Sequence, residues 1–270
     1  MRRIKLGLVI VFSTVSLLLV VAVAQKSSRQ PNRTVSAVYR ENNCVVCHAS
    51  LVEPVGVSAH FYEWRNSKHE KRGISCEKCH GGDPTSKSLT TAHEGVLAPT
   101  FAQSKLHPKN LATTCSACHQ DVVNAFVKST HYQKLQESNA APSCTNCHHH
   151  MATSVITWPP DTAALCAKCH QAGGVAAQSA KVPARAGETI AAFSRADGIV
   201  EWARELIREG KQKKLSFKAE ELQLQKFEKS LKDAKTQWHA FNLTDSRQTV
   251  DEVFRQATVV KDGIWKKLPE

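Results

Sequence analysis

Ten cysteines, and the histidines that follow five of them, form one motif that is repeated five times. Each copy reads Cys-x-x-Cys-His, and no cysteine lies outside a copy. Two thiols three residues apart can form thioethers with the two vinyl groups of one porphyrin, and the histidine that follows can ligate the iron. The predicted attachment residues are Cys44, Cys47, Cys76, Cys79, Cys115, Cys118, Cys144, Cys147, Cys166 and Cys169, and the predicted proximal ligands are His48, His80, His119, His148 and His170.

Zinc and disulfides are the competing uses of these cysteines. A single C-x-x-C pair could belong to a zinc knuckle or a thioredoxin-like redox site, and ten cysteines in an exported chain could form five disulfides. Five copies that all end in histidine favour five covalent haem c groups instead. The copies start 32, 39, 29 and 22 residues apart, so each unit is too small to bury more than its own haem. Haems at this density would lie in contact and offer a path for electrons.

The second axial ligand of each iron sets its reduction potential. The chain has 13 histidines, and Met151 is the one methionine besides the initiator, so at most one haem can be His/Met ligated and the others are expected to be bis-His. A histidine is ordinarily a surface residue, but five irons in need of partners favour ligation here. For His239 the sequence leaves a haem ligand and a surface position equally open. The predicted distal candidates are His60, His69, His93, His107, His131, His149 and His150.

The N-terminus has the pattern of an export leader. Arg2, Arg3 and Lys5 precede an apolar run that ends in Ala22-Val23-Ala24, an A-x-A cleavage sequence. Residues 1–24 are therefore predicted to be a signal peptide and residues 25–37 a disordered spacer. The apolar run is also long enough for an uncleaved anchor. The expected location is the periplasm, and the alternative is an inner-membrane protein with a periplasmic haem domain.

The basic composition has an explanation other than nucleic acid. A formal charge of +12 on 270 residues would ordinarily suggest nucleic acid or an acidic membrane surface as partner. Loss of the leader lowers this charge to +9. Each haem brings two propionates to a core of +1 when ferric and 0 when ferrous, so the holoprotein would carry about +4 oxidised and about −1 reduced. The basic excess is therefore expected to balance the cofactors, and no nucleic-acid partner is predicted.

The chain divides by composition into two parts. Residues 38–172 are predicted to form a pentahaem domain of short helices and loops, and residues 173–187, rich in alanine and glycine, a linker. In residues 188–268, apolar side chains at steps of three, four and seven predict two long amphipathic helices, with a third before Gly210. Thr244 or Asp245 is the expected N-cap of the last helix. The apolar stripes would pack on the haem domain or join copies of the chain into a homo-oligomer.

These features together resemble the multihaem cytochrome c superfamily, over about residues 44–265. The similarity rests on the five motifs, on Ser-x-His patterns such as Ser67-Lys68-His69, and on the helical tail. The branch concerned contains hydroxylamine oxidoreductase, pentahaem nitrite reductase and their small electron-transfer relatives. The resemblance implies an all-α, haem-rich fold in which an upstream histidine crosses to a neighbouring haem.

The catalytic features of those enzymes do not carry over. No C-x-x-C-K motif is present, and the three tyrosines, Tyr39, Tyr62 and Tyr132, lie outside the helical tail. No catalytic residue is therefore predicted. The leading hypothesis is an electron carrier that links a quinol-oxidising complex or another cytochrome to a terminal reductase, with these redox proteins as its partners.

Two other functions stay open at this point. One is a multihaem reductase or oxidoreductase of small nitrogen or sulfur species, which needs one haem with an open axial site. The other is a membrane-anchored quinol dehydrogenase, since such proteins also resemble the chain through an N-terminal anchor and four or five haems. This last function requires that the leader is retained, and only then is contact with a membrane expected.

Overall fold

A computed structural model describes residues 39–150 and 154–269, and every regular element in these ranges is helical. The expected all-α fold is confirmed. The predicted signal peptide, the predicted spacer and Met151 lie outside the described residues. Within the described ranges, no helix combines the length and the apolar character that crossing a bilayer demands.

Short helices make up the part of the chain that holds the five motifs. They are separated by loops, and a 3₁₀ turn at Ala177–Ser179 follows the last of them. The short helices are α1 (Asn43–His48), α2 (Val55–Asn66), α3 (Lys68–Lys71), α4 (Glu77–His80), α5 (Leu89–Ala92), α6 (Leu111–Ser116), α7 (Gln120–Phe126), α8 (Thr130–Ser138), α9 (Cys144–His148) and α10 (Pro159–Ala167).

Three long helices follow and pack against one another as a bundle. They are α11 (Val182–Gln212), α12 (Lys218–His239) and α13 (Leu243–Trp265). Apolar residues from all three, among them Val200, Leu231 and Val250, are buried in one hydrophobic core. The stripes predicted from the sequence are therefore largely covered within the chain. Self-association through these helices stays a prediction.

The predicted linker is wrong in its second half. Helix α11 begins at Val182, so residues 182–187 are helical and the C-terminal helices start before residue 188. Gly187 lies where α11 crosses α10, and a Cβ at this position would come within 3.0 Å of the carbonyl oxygen of Pro159. The glycine permits close packing of the two helices, whereas the alanine- and glycine-rich composition of residues 173–187 suggested a flexible linker.

The N-cap of the last helix also differs from the prediction. The side-chain oxygen of Asn242 accepts a hydrogen bond from the backbone N–H of Asp245 at 3.2 Å. The cap therefore lies two residues before Thr244. Asp245 occupies the first turn, where its negative charge interacts favourably with the helix dipole.

The bundle and the haem-motif region are packed together. Residues 41–269 belong to one compact unit. Helix α10 packs along α11, and α12 packs on α7, where Lys232 Nζ lies 3.1 Å from Asp121 Oδ2. Helix α12 is thus held close to the motifs, and its C-terminal end can reach them.

Candidate haem sites

Each motif is folded as a single helical turn. The backbone N–H of the motif histidine donates to the carbonyl of the first cysteine, at 2.9 Å for His80, 2.9 Å for His119 and 3.0 Å for His170. Residues three apart share a face of a helix, so the two thiols of a motif lie side by side with the histidine beyond them. None of the ten cysteines is in a disulfide bond, so each is available for a thioether bond.

Four motif histidines face a second histidine across a gap of nearly constant width. A metal–imidazole bond is about 2 Å long, so two imidazoles on opposite sides of one iron have ring centroids roughly 6 Å apart. The observed pairs therefore fit a bis-His haem iron. The centroids are separated by 6.0 Å in His48–His93, 6.1 Å in His119–His69, 5.9 Å in His170–His131 and 6.0 Å in His148–His239.

In two of the facing histidines, a hydrogen bond at Nδ1 leaves Nε2 free to bind a metal. His93 Nδ1 lies 2.8 Å from the carbonyl oxygen of Leu89, and His239 Nδ1 lies 2.6 Å from that of Lys235. A carbonyl only accepts, so Nδ1 must carry the proton and Nε2 keeps its lone pair. A backbone carbonyl on the second ring nitrogen is the usual way in which metal-ligating histidines are oriented.

Burial keeps several of these imidazoles neutral. It is the main cause that lowers the pKa of His48, His131, His148 and His239, and the neighbouring histidine of each pair lowers the pKa of the first three further. At neutral pH these rings are therefore uncharged. A neutral ring is the form that binds iron.

The Ser-x-His pattern is a helix N-cap. Ser67 accepts from the backbone N–H of Glu70 at 3.1 Å and starts α3, and Ser129 accepts from that of Tyr132 at 3.1 Å and starts α8. Both serines are buried. Each cap places the histidine at the second position of a helix that begins beside a haem motif.

His80 is the exception among the motif histidines. Within the described part of the chain it is not in a histidine pair at this separation, although burial, followed by the neighbouring His60 and His48, lowers its pKa. His60 is therefore the nearest candidate for the second ligand. The same His60 lies 5.4 Å, ring to ring, from His150, and the ligand atoms of His60, Glu63 and His150 all lie within 4.8 Å of one another.

The remaining two distal candidates do not face a motif histidine in the described ranges. His107 Nδ1 accepts from the backbone N–H of Lys109 at 3.4 Å, which places the proton of a neutral ring on Nε2, the wrong atom for ligation through Nε2. His149 is exposed and has a left-handed backbone with a φ of 53°.

Consecutive motifs are neighbours in space. Burial raises the pKa of Cys76, and the next cause is Cys44 of the first motif. In the same way Cys118 of the third motif raises the pKa of Cys79. The thiol of Cys115 in the third motif adjoins that of Cys144 in the fourth, and it is the main cause that lowers the pKa of Cys144.

The fifth motif continues this order. Burial raises the pKa of Cys166 to about 11, and Cys147 of the fourth motif is the next cause. The five attachment sites therefore follow one another in space in the order in which they occur in the sequence.

His239 is the facing histidine that the sequence left undecided. It is the last residue of α12 and lies in the helical tail, far from any motif along the chain. One sequence feature could have favoured it: it is the only histidine of the tail and follows Trp238, a residue of the apolar stripe. Its pairing with His148 is visible only once the bundle is folded.

Comparisons with known proteins point to the same class of protein. A family model described as cytochrome c7 and related cytochrome c matches residues 100–171, and one described as cytochrome c554 and c-prime matches residues 19–81. The C-type polyheme cytochrome OmcC of Geobacter sulfurreducens is 27% identical over 96 residues, which cover 36% of this chain and 12% of that protein. OmcB of the same species is 30% identical over 103 residues, 35% of this chain and 12% of that protein.

The chain thus spans about 12% of the length of these curated relatives. No solved structure matched it. The family matches and the relatives support a multihaem c-type cytochrome, a class in which haem c is bound covalently. The motif turns and the facing histidines fit that cofactor.

Proposed function

We propose that this chain is a periplasmic electron-transfer protein that carries five covalent c-type haems, most of them bis-His ligated. It would accept electrons from a quinol-oxidising complex or another cytochrome and pass them to a terminal reductase. A bound haem supplies a one-electron ferric/ferrous couple. The protein supplies the attachment thiols, the axial imidazoles and the order of the sites.

The four histidine pairs carry this proposal. Separations of 5.9–6.1 Å leave room between the rings for an iron but for no substrate beside it. Two imidazoles on one iron favour electron transfer over ligand chemistry, and without a methionine ligand the potential is expected to be low. The sequential order of the five motifs supports a single path from the first to the fifth.

The relationship to the hydroxylamine oxidoreductase branch is part of the proposal. It is supported by the motif set, by the capped Ser-x-His turns and by the long C-terminal helices. The redox partners follow from the carrier role and are proposed with it.

Spin state and stoichiometry test the carrier directly. The purified holoprotein should contain five haems per chain, and electron paramagnetic resonance should show at least four of them as low-spin ferric. A redox titration should place the low-spin haems at low potential. High-spin signals from two or more haems, or fewer than five haems per chain, would contradict the proposal.

An enzyme with one open haem is the second candidate, and His80 favours it. This motif histidine lacks a partner at the separation found in the other four pairs of the described residues. Unless His60 ligates it, the second haem is the one at which a substrate could bind the iron. One high-spin haem that binds nitrite or hydroxylamine, with turnover, would support an enzyme of small nitrogen species; a low-spin second haem and no turnover would remove it.

The fate of the leader decides between a periplasmic carrier and a membrane-anchored quinol dehydrogenase. Intact mass of the purified protein distinguishes the two. A chain that starts at Gln25 supports the carrier, and a retained leader with quinol oxidation in membranes supports the dehydrogenase.

A further inference from the structure

The turn between α12 and α13 contacts two of the candidate haem sites. At one end of it His239 faces His148, with ring centroids 6.0 Å apart and ring planes inclined by 23°. Two residues later, the ring of Phe241 lies on that of His131, with centroids 3.9 Å apart. His131 itself faces His170 of the fifth motif. One turn of the bundle thus reaches both the fourth and the fifth motif.

We propose that the C-terminal bundle is part of the haem-binding machinery through this turn. His239 is the sixth ligand of the iron attached at the fourth motif. Phe241 is a positioning residue that holds His131 towards the iron attached at the fifth. The inference rests on the proposed pentahaem carrier and adds to it a ligand from a helix that contains no haem motif.

The position of His239 is fixed from several sides. Its Nδ1 is bound to the carbonyl of Lys235 one helical turn earlier, which aims Nε2 away from the helix backbone. The preceding Trp238 packs on the bundle core, and its ring centroid lies 6.4 Å from that of Phe193. Helix α12 is further tied to α7 by the ion pair of Lys232 and Asp121. A ring held this way needs little ordering before it binds a metal.

Phe241 has a backbone conformation that a bulky residue rarely adopts. Its φ is 58°, in the left-handed region, which is strained for a residue with a bulky side chain. Hydrogen bonds from Phe241 N–H to Trp238 O (2.9 Å) and from Asn242 N–H to Gln237 O (3.2 Å) hold it there. The result is a ring that contacts both His131 and Phe126.

His239→Ala in the full holoprotein tests the ligand role. One of the five haems should change from low-spin to high-spin while all five stay attached, and added imidazole should restore the low-spin form. His239→Met should keep six-coordination and raise the potential of one haem. Gln237→Ala, an exposed residue of the same helical turn, is the matched control and should leave the spectrum unchanged.

The outcomes separate this inference from the proposed function. If wild type has its low-spin haems and His239→Ala keeps every one of them, the ligand role of His239 is wrong and the carrier stands. If wild type itself lacks bis-His haems, the carrier proposal fails first. If His239→Ala does not fold, His239→Met decides, because an unchanged set of five potentials in that variant contradicts the ligand role.

Phe241 needs a readout beyond stability. Phe241→Ala should shift the resonance signal and the potential of one haem, and Phe241→Tyr, which keeps the ring, should restore both. Phe241→Gly is a second comparison, since it relieves the backbone conformation but removes the ring contact with His131 and should behave as the alanine variant does. Wild-type signals and potentials in Phe241→Ala would overturn the positioning role.

Discussion

The serine two residues before a proposed distal histidine acts on the backbone of the helix that carries that histidine. Ser129 accepts from the N–H of Tyr132 and donates to the carbonyl of Phe126 at 2.6 Å, so it closes the end of α7 and opens α8. His131 lies in the first turn that this cap stabilises. The pattern in the sequence therefore has a physical basis in helix capping, in addition to its resemblance to known cytochromes.

Removal of the cap at residue 129 should weaken α8. Ser129→Ala is expected to lose about 1 kcal/mol of stability, because a buried N-cap hydrogen bond disappears and the Tyr132 N–H is left without it. A thermal melt of the holoprotein measures this as a lower Tm. Ser129→Thr keeps the hydroxyl and should retain most of the stability, and Ser138→Ala at the exposed end of α8 should have little effect. Equal Tm values for Ser129→Ala and wild type would contradict the capping role.

Two histidines outside the motifs, His93 and His107, can be compared directly. His93→Ala should convert one haem to high-spin, because His93 faces His48 and its Nδ1 proton is bound to Leu89 O. His107→Ala should change no spin state, because His107 Nδ1 already accepts from Lys109 N–H. Absorption and resonance spectra of the two variants check this. High-spin haem in His107→Ala with none in His93→Ala would reverse the assignment.

Spacing in the sequence is enough to propose a haem-binding role for these residues, but it does not give their pairing. Cys-x-x-Cys-His is a local motif, so the proposed attachment thiols and proximal histidines follow from spacing alone. A facing histidine depends on tertiary structure. His93 faces the first motif although it follows the second, and His69 precedes the second but faces the third. The resemblance carried by the Ser-x-His pattern implies that an upstream histidine crosses to a neighbouring haem, but no local pattern says which motif it reaches. For that reason the sequence could not choose among the seven candidates or decide on His239.

At the scale of elements, glycines in α11 have opposite roles in the same helix. A Cβ at Gly210 would overlap with the ring of Phe217, which is itself buried, and would also approach Leu268. A Cβ at Gly198 would meet nothing within 4 Å. The helix therefore tolerates an added methyl group at one position and has no room for it at the other.

Alanine at these two positions should change stability in opposite directions. Gly198→Ala is expected to stabilise by up to about 1 kcal/mol through helix propensity. Gly210→Ala is expected to destabilise by about 1–3 kcal/mol, because overpacking against Phe217 exceeds the same propensity gain. Denaturant or thermal unfolding of the two variants measures both signs. Stabilisation by Gly210→Ala would show that Phe217 can move aside, and the interpretation that Gly210 and Phe217 are closely packed would then be wrong.

Helix prediction from the sequence succeeded where the apolar period was long and failed where composition was used instead. Two stripes of regularly spaced apolar residues, one starting at Phe217 and one at Val250, predicted α12 and α13. This spacing is typical of amphipathic helices that bury one face. The start of α11 was missed because Ala186 and Gly187 look like linker residues, yet both are buried in close helix packing. Small residues allow both outcomes, and only the neighbouring α10 decides between them.

At the scale of the whole molecule, charge and cofactor are linked. The polypeptide carries a formal charge of +12, or +9 without the leader, and the haem propionates would offset most of it. Each reduced iron removes one positive charge. Reduction of the five proposed haems would therefore change the net charge by about five, whether or not the leader is cleaved.

Ion exchange can measure this change and count the haems at the same time. The oxidised protein should bind a cation exchanger at low salt near pH 8, and the fully reduced protein, kept anaerobic, should elute earlier because about five positive charges are gone. A variant with alanine at both Cys44 and Cys47 lacks the first attachment site and should show a smaller shift, of about four charges. Because the polypeptide charge is the same in both redox states, the difference depends on the haems alone. An elution position that does not respond to reduction, or an equal shift in the two proteins, would contradict five redox-active haems in one chain.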